Sequence, residues 1–221
     1  MRKINGKSII NLLASVLFLC ITCNVPVAAA DVAQDPEQLI KHITSSVMQE
    51  LKANQTELAS HPHMVFGLVD KIVLPYVDFT EMGTWIAGRT AWHAATEGEK
   101  DNFIKEFKNL LLKTYAVALN KYTNETIEVY PLSQGSASKG RVQISSKVIR
   151  TNQDNIKIDY RLLKHGDSWM LYDVIIEGVS ILKGFQAQFS QDIKLHGLGY
   201  VTAQIKEHNQ QYDRQHDNGK G

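Results

Sequence analysis

The spacing of apolar residues changes twice along this chain, and the two changes constrain its fold more than any other feature. Up to about Asn124 apolar side chains recur every three or four residues, as on one face of a helix; Leu39, Ile43, Val47 and Leu51 are an example. From Thr126 to Glu177 they alternate, the period of a strand. From Ser180 the helical period returns, with Ile181, Phe185, Phe189 and Ile193 in one stripe. Helices, then strands joined by short turns, then helices again predict an α+β fold: an antiparallel four-stranded meander sheet packed against N-terminal and C-terminal helices.

Local signals place the elements. Asp35-Pro36-Glu37-Gln38 reads as an N-cap, a first-turn proline and a capping box, opening a helix to about Ala59. A second helix is expected from about His63 to Val73, stopped by Pro75, and a third segment from Asp78 to near Gly88. Thr96-Glu97-Gly98-Glu99 is a second capping box, opening a helix to about Tyr122 with a broad face of Phe103, Phe107, Leu110, Leu111, Tyr115, Ala118, Leu119 and Tyr122. Strands are expected near 126–130, 141–150, 156–164 and 168–177, the last with Met170, Tyr172, Val174 and Ile176 on one face and Trp169, Leu171 and Ile175 on the other. His165-Gly166-Asp167 is read as a hairpin turn, and the last helix runs from about Leu198 to Asn209.

The N-terminus reads as a leader. Arg2, Lys3 and Lys7 precede an apolar stretch from Ile9 to Val25, and Ala28-Ala29-Ala30 supplies the small residues of a cleavage site. A lipoprotein signal at Cys20 or Cys23 fits less well, because Leu19 and Thr22 stand where a small residue is expected. Residues 1–30 are therefore expected to be a cleavable secretory signal, residues 31–212 a single domain and residues 213–221 a disordered tail. Both cysteines lie in the leader, so the exported part has no disulfide framework and is stabilised by packing alone. Subtracting the leader's three basic residues from the chain's formal charge of +1 leaves −2, which excludes a nucleic-acid partner held by phosphate neutralisation. No later apolar run is long enough to span a membrane.

Residues that could carry chemistry are scattered. Ser180 lacks the glycine two positions on that a nucleophile elbow needs, and it reads as a helix cap. His61-Pro62-His63 offers two imidazoles, short of the three or four ligands of a zinc site, and the remaining histidines stand singly with none inside a strand. Asp70, Asp78 and Glu81 read as capping or exposed carboxylates, and no glycine-rich phosphate loop follows a strand. The reading is that of a non-enzyme with no metal and no cofactor.

Several runs resemble one family. Val73-Leu74-Pro75-Tyr76-Val77-Asp78-Phe79 with Met82, Trp92, Ala95-Thr96, Phe103, Phe107 and Leu110 to Ala116, then Tyr160-Arg161-Leu162, Trp169, Tyr172-Asp173-Val174, Ile176-Glu177-Gly178-Val179-Ser180 and Gln188-Phe189, together resemble the MlaC family of periplasmic phospholipid-binding proteins. The likeness spans nearly all of the exported chain in unbroken order. One departure is Phe185-Gln186, where the family usually carries Tyr-Arg. The resemblance implies a periplasmic carrier of diacyl phospholipid as cargo. Its partners would be an outer-membrane lipoprotein complex and an inner-membrane ABC transporter complex with its membrane-anchored lipid-binding subunit. The acyl chains would lie in an apolar cavity between sheet and helices. The lining expected here is Ile72, Leu74, Val77, Leu111, Tyr115, Ile144, Tyr160, Val174, Ile176 and Phe185. Two other readings stay open on the residues alone: a small cone-shaped α+β enzyme using a His-Asp pair, and an envelope adaptor that binds only proteins.

Overall fold

Capping residues set where the long helices begin. The computed structural model describes residues 32–120, 125–133, 137, 140–151 and 153–217; the leader, its two cysteines and Tyr122 to Asn124 lie outside the described residues. Asp35 accepts hydrogen bonds from the Glu37 and Gln38 amides (2.8 and 3.2 Å) and opens α1, Pro36–Ala53. The expected continuation to Ala59 is broken at Asn54, whose side chain turns back onto the Glu50 carbonyl, and α2 (Gln55–Ser60) follows as a separate turn. A 3₁₀ turn, Pro62–Met64, leads into α3, Val65–Ile72. A second 3₁₀ turn, Leu74–Tyr76, leads to α4 (Phe79–Ala87), capped by Asp78. The sequence reading ends the helices of this region near Gly88; the structure adds α5, Arg89–Ala94, which buries Trp92.

The Thr96 capping box is formed as expected and opens α6, Glu97–Leu111. The Glu99 carboxylate accepts from the Thr96 amide and hydroxyl (both 2.8 Å), and these bonds hold its pKa below the ordinary carboxylate value. The same axis continues through a π-helical turn, Leu112–Ala116, and a last turn, Val117–Leu119.

The sheet is a meander of five strands rather than four: β1 (Thr126–Val129), β2 (Arg141–Ile149), β3 (Ile156–His165), β4 (Ser168–Ile176) and β5 (Val179–Ser180), in that spatial order and antiparallel throughout. The extra strand arises because Glu177 and Gly178, both at positive φ (49° and 82°), make a two-residue turn that folds Val179 and Ser180 back onto Ile176 and Ile175. A bulge also breaks the regular alternation of β4: Arg161 faces Asp173 but Leu162 faces Leu171, leaving Tyr172 as the extra residue. Val174 and Ile176 consequently share a face with Leu171 and Trp169, not with Met170 as strict alternation would have it.

After β5, Ser180 caps α7 (Ile181–His196), and Gly197 at φ 84° separates it from α8, Leu198–Asp217. α8 runs well past Asn209, and residues 213–217, expected to belong to a disordered tail, are helical. Tertiary contacts hold them. Lys113 reaches the Asn209 carbonyl (2.9 Å) and the Asp213 carboxylate (2.7 Å), and the stacked Tyr212 and His216 rings pack edge-on to His63.

Two apolar clusters result. The first joins α4 to α8 with Leu163 and Tyr172, and its centre is a run of aromatic rings: Trp92, Phe103, Phe107, Phe185 and Phe189. The second joins α1 to α3 and Ala116 to the sheet face bearing Val142, Ile144, Tyr160, Leu162, Trp169 and Leu171. Fully buried residues of this size each contribute roughly 1.5–3 kcal/mol, so both clusters are substantial.

Candidate functional site

Leu74 and Val77 pack against both clusters, which makes the segment after α3 the seam between them. The position of that segment follows from backbone hydrogen bonding. The Asp78 amide donates to the Leu171 carbonyl (2.8 Å) and Val77 bridges Leu171 in parallel, so the segment covers the free edge of β4. Farther along the same strand β5 takes over this role, and at the other end the Trp169 amide reaches the Ala33 carbonyl (2.7 Å).

The second wall of the seam comes from the π turn of α6. Its irregular register lets two successive residues serve different cores: Leu111 packs on the first cluster and Leu112 on the second. Within the turn, Tyr115 meets the Phe185 ring edge-on at 6.4 Å and remains 39% exposed. Burial raises the pKa of its phenol, and does so for Tyr160 as well, so both side chains are uncharged at neutral pH.

The ten expected lining residues fall into three groups. Ile144, Tyr160 and Phe185 are buried. Ile72, Leu74, Val77, Leu111 and Val174 are half-buried, and Tyr115 and Ile176 are exposed. Ile144 pairs across the sheet with Tyr160, Tyr160 with Val174, and Ile158 with Ile176, so the sheet members lie on one face in two adjacent rows. Leu111 and Phe185 belong to the first cluster; Ile72, Ile144, Tyr160 and Val174 belong to the second; Leu74 and Val77 join them. The ten do not line the large surface hollows. One of about 710 Å³ lies between α1 and β1, and another of about 670 Å³ is floored by Ala87, Ala91 and Ala94 and edged by Arg89 and Lys194. The seam is instead a line along which apolar side chains stay half-open to solvent between two well-packed cores.

Ile158 and Val179 pair in register with Ile176 and so extend the same sheet face beyond the ten expected residues. Ile158 was legible as a member of the β3 stripe, but Val179 acquires its place only through the Glu177-Gly178 turn. Gln186 donates to the Trp85 carbonyl (2.7 Å) and ties α7 to α4.

Polar groups near the seam serve the scaffold. Asp173, fully buried, accepts from the Ser180 hydroxyl (2.8 Å) and the Leu182 amide (3.1 Å) and pairs with Arg161 at 3.2 Å. His165 is the last residue of β3 rather than part of the turn, and its Nε2 lies 3.0 Å from Asp78 Oδ2. The imidazole is exposed, and the pair joins the β3–β4 hairpin to the start of α4 rather than facing an enclosed pocket. Among the described residues no three His, Cys, Asp or Glu side chains are grouped to hold a metal ion, and no helix is long and apolar enough to cross a membrane.

Comparison with known proteins gives a consistent result. The family described as MlaC protein matches residues 41–207. The toluene tolerance protein ttg2D of Pseudomonas putida is 28% identical over 165 residues, covering 75% of this chain and 76% of its own length. The intermembrane phospholipid transport system binding protein MlaC of Haemophilus influenzae is 24% identical over 173 residues, 76% of this chain and 79% of its own. Among solved structures, the phospholipid-binding protein from Ralstonia solanacearum, determined in complex with a phospholipid, superimposes with a TM-score of 0.72 at 29% identity, covering 80% of this chain and 98% of that one. With the family match extending over most of its length, the chain belongs to the MlaC family.

Proposed function

We propose that this chain is a periplasmic phospholipid carrier that shields acyl chains in the seam between its two apolar clusters while the lipid crosses water. The observation that carries the reading is the half-open apolar lining: Leu74 and Val77, packed on both clusters, and Ile72 and Val174, packed on the second, stay half-buried, and Tyr115 and Ile176 are exposed. Its weight comes from the company the chain keeps. A relative of the same fold was solved with a phospholipid bound, and the curated relatives carry names of a tolerance protein and of a phospholipid transport binding protein.

The energetics explain why such a carrier is needed. A diacyl lipid with roughly thirty chain methylenes, at about 0.8 kcal/mol each, resists leaving a bilayer for water by roughly 24 kcal/mol. A dry surface that replaces the bilayer around the chains removes most of that barrier, and no bond need be made or broken. A seam that contacts only hydrocarbon does not read the headgroup, so binding is broad across diacyl phospholipids. In this reading the chain exchanges lipid with an outer-membrane lipoprotein complex and with an inner-membrane ABC transporter bearing a membrane-anchored lipid-binding subunit.

Native mass spectrometry of the leaderless protein purified without detergent tests the reading. The expected spectrum contains one diacyl phospholipid per chain. Protein that is lipid-free and takes up none from phosphatidylethanolamine–phosphatidylglycerol vesicles would refute it.

A further inference from the structure

On the seam-facing side of the sheet, apolar exposure rises in steps toward β5. The inner row is Ile144, Tyr160 and Val174: 1% exposed, 9% exposed and half-buried. The outer row is Ile158, Ile176 and Val179, each paired directly with the next across three strands: half-buried, 37% and 70% exposed. Side chains paired directly across antiparallel strands lie on the same face, so Val179 is the outermost member of an apolar track that begins in the proposed lining.

Val179 is held in this exposed position by a rigid local frame. The Glu177-Gly178 turn is closed by the Glu177 amide on the Lys157 carbonyl (3.0 Å) and by the Lys157 amide on the Glu177 carboxylate. On the far side, Ser180 is fixed to buried Asp173 (2.8 Å) and accepts from the Lys183 amide (3.0 Å). A two-residue strand tied at both ends is not a frayed tip. Its apolar residue is displayed with little conformational freedom left to lose on contact. One cation is free to meet a lipid phosphate beside it. Lys157 is paired with Asp159 (3.2 Å) and Glu177 keeps its carboxylate charge, while the Lys183 side chain, on the first turn after Ser180, is exposed and unpaired among the described residues.

We propose that Val179, beside Ile176 at the rim of the lining, forms a lip that touches the bilayer surface and receives the first acyl chain from it, with Lys183 beside the lipid phosphates. The lip governs how fast lipid enters the seam, not how firmly the seam holds it. This rests on the carrier reading, and its test separates the two. Leaderless protein stripped of lipid is mixed with vesicles of phosphatidylethanolamine and phosphatidylglycerol (3:1) carrying a trace of fluorescent phospholipid. Transfer rate is read by fluorescence and final occupancy by native mass spectrometry. Val179→Asp is expected to slow transfer at least fivefold and Val179→Thr about twofold, both reaching wild-type occupancy, while Val179→Leu transfers at the wild-type rate. Transfer by Val179→Asp at the wild-type rate would overturn the lip. So would an equal fall in its occupancy, which would make Val179 part of the binding surface itself. No uptake by the wild type would remove the carrier reading and the lip together. The Thr variant, nearly isosteric and strand-favouring, keeps the test decisive if the Asp variant is poorly folded.

Discussion

Gly83 has no room for a methyl group. A Cβ there would lie 2.6 Å from two atoms of the Trp92 ring, and Trp92 is itself buried at the start of the aromatic run. Alanine is the better helix former by about 1 kcal/mol, yet Gly83→Ala is expected to destabilise the protein by about 1–3 kcal/mol through overpacking, measured as a lower urea midpoint at unchanged slope. Nothing in the sequence marks this glycine, because the constraint comes from α5 folding back over α4. The caps are the opposite case. Asp35, Thr96 and Glu99 act within four residues of themselves, and their roles are legible without a structure. Residues whose environment is assembled from afar divided by depth: Ile144, Tyr160 and Phe185 were recognisable as interior from their stripes, but how far Tyr115 and Ile176 remain open depended on the π turn and the bulge.

At the scale of elements, the period of the apolar pattern located both helical blocks and the four long strands. What it could not locate were the irregularities: the break at Asn54, the π turn, the extra residue at Tyr172 and the two-residue β5. Each is a local departure from a repeat, and a repeat is what pattern reading detects. The junction between β5 and α7 depends on a single carboxylate. Replacing Asp173 with alanine would leave the Leu182 amide and the Ser180 hydroxyl without their acceptor in a buried site. A cost of about 2–4 kcal/mol is expected, seen in equilibrium denaturation, with faster amide hydrogen exchange in β5 and the first turn of α7. A wild-type exchange pattern in that segment would show that Ser180 alone holds the junction.

Over the whole molecule, the division into two clusters bears directly on the proposed carrier role. If lipid lies between them as proposed, each cluster keeps its own buried residues when the lipid leaves, and the fold should persist without cargo. Extracting bound lipid is therefore expected to lower the melting temperature by on the order of 10 °C, the loss of about 4 kcal/mol from a ligand present at a thousand times its dissociation constant. The far-UV circular dichroism should stay unchanged. Collapse of the spectrum on extraction would mean that the cargo is part of the core. The extra residue in β4 has a consequence at this scale too. It inverts the strand's parity halfway along, so that the half beyond it sets Val174 and Ile176 on the apolar sheet face of Leu171 and Trp169 and turns Asp173 to the helix it secures. In a strand of unbroken alternation those directions would be exchanged, with a carboxylate set against oil and two aliphatic groups turned toward an amide that needs an acceptor.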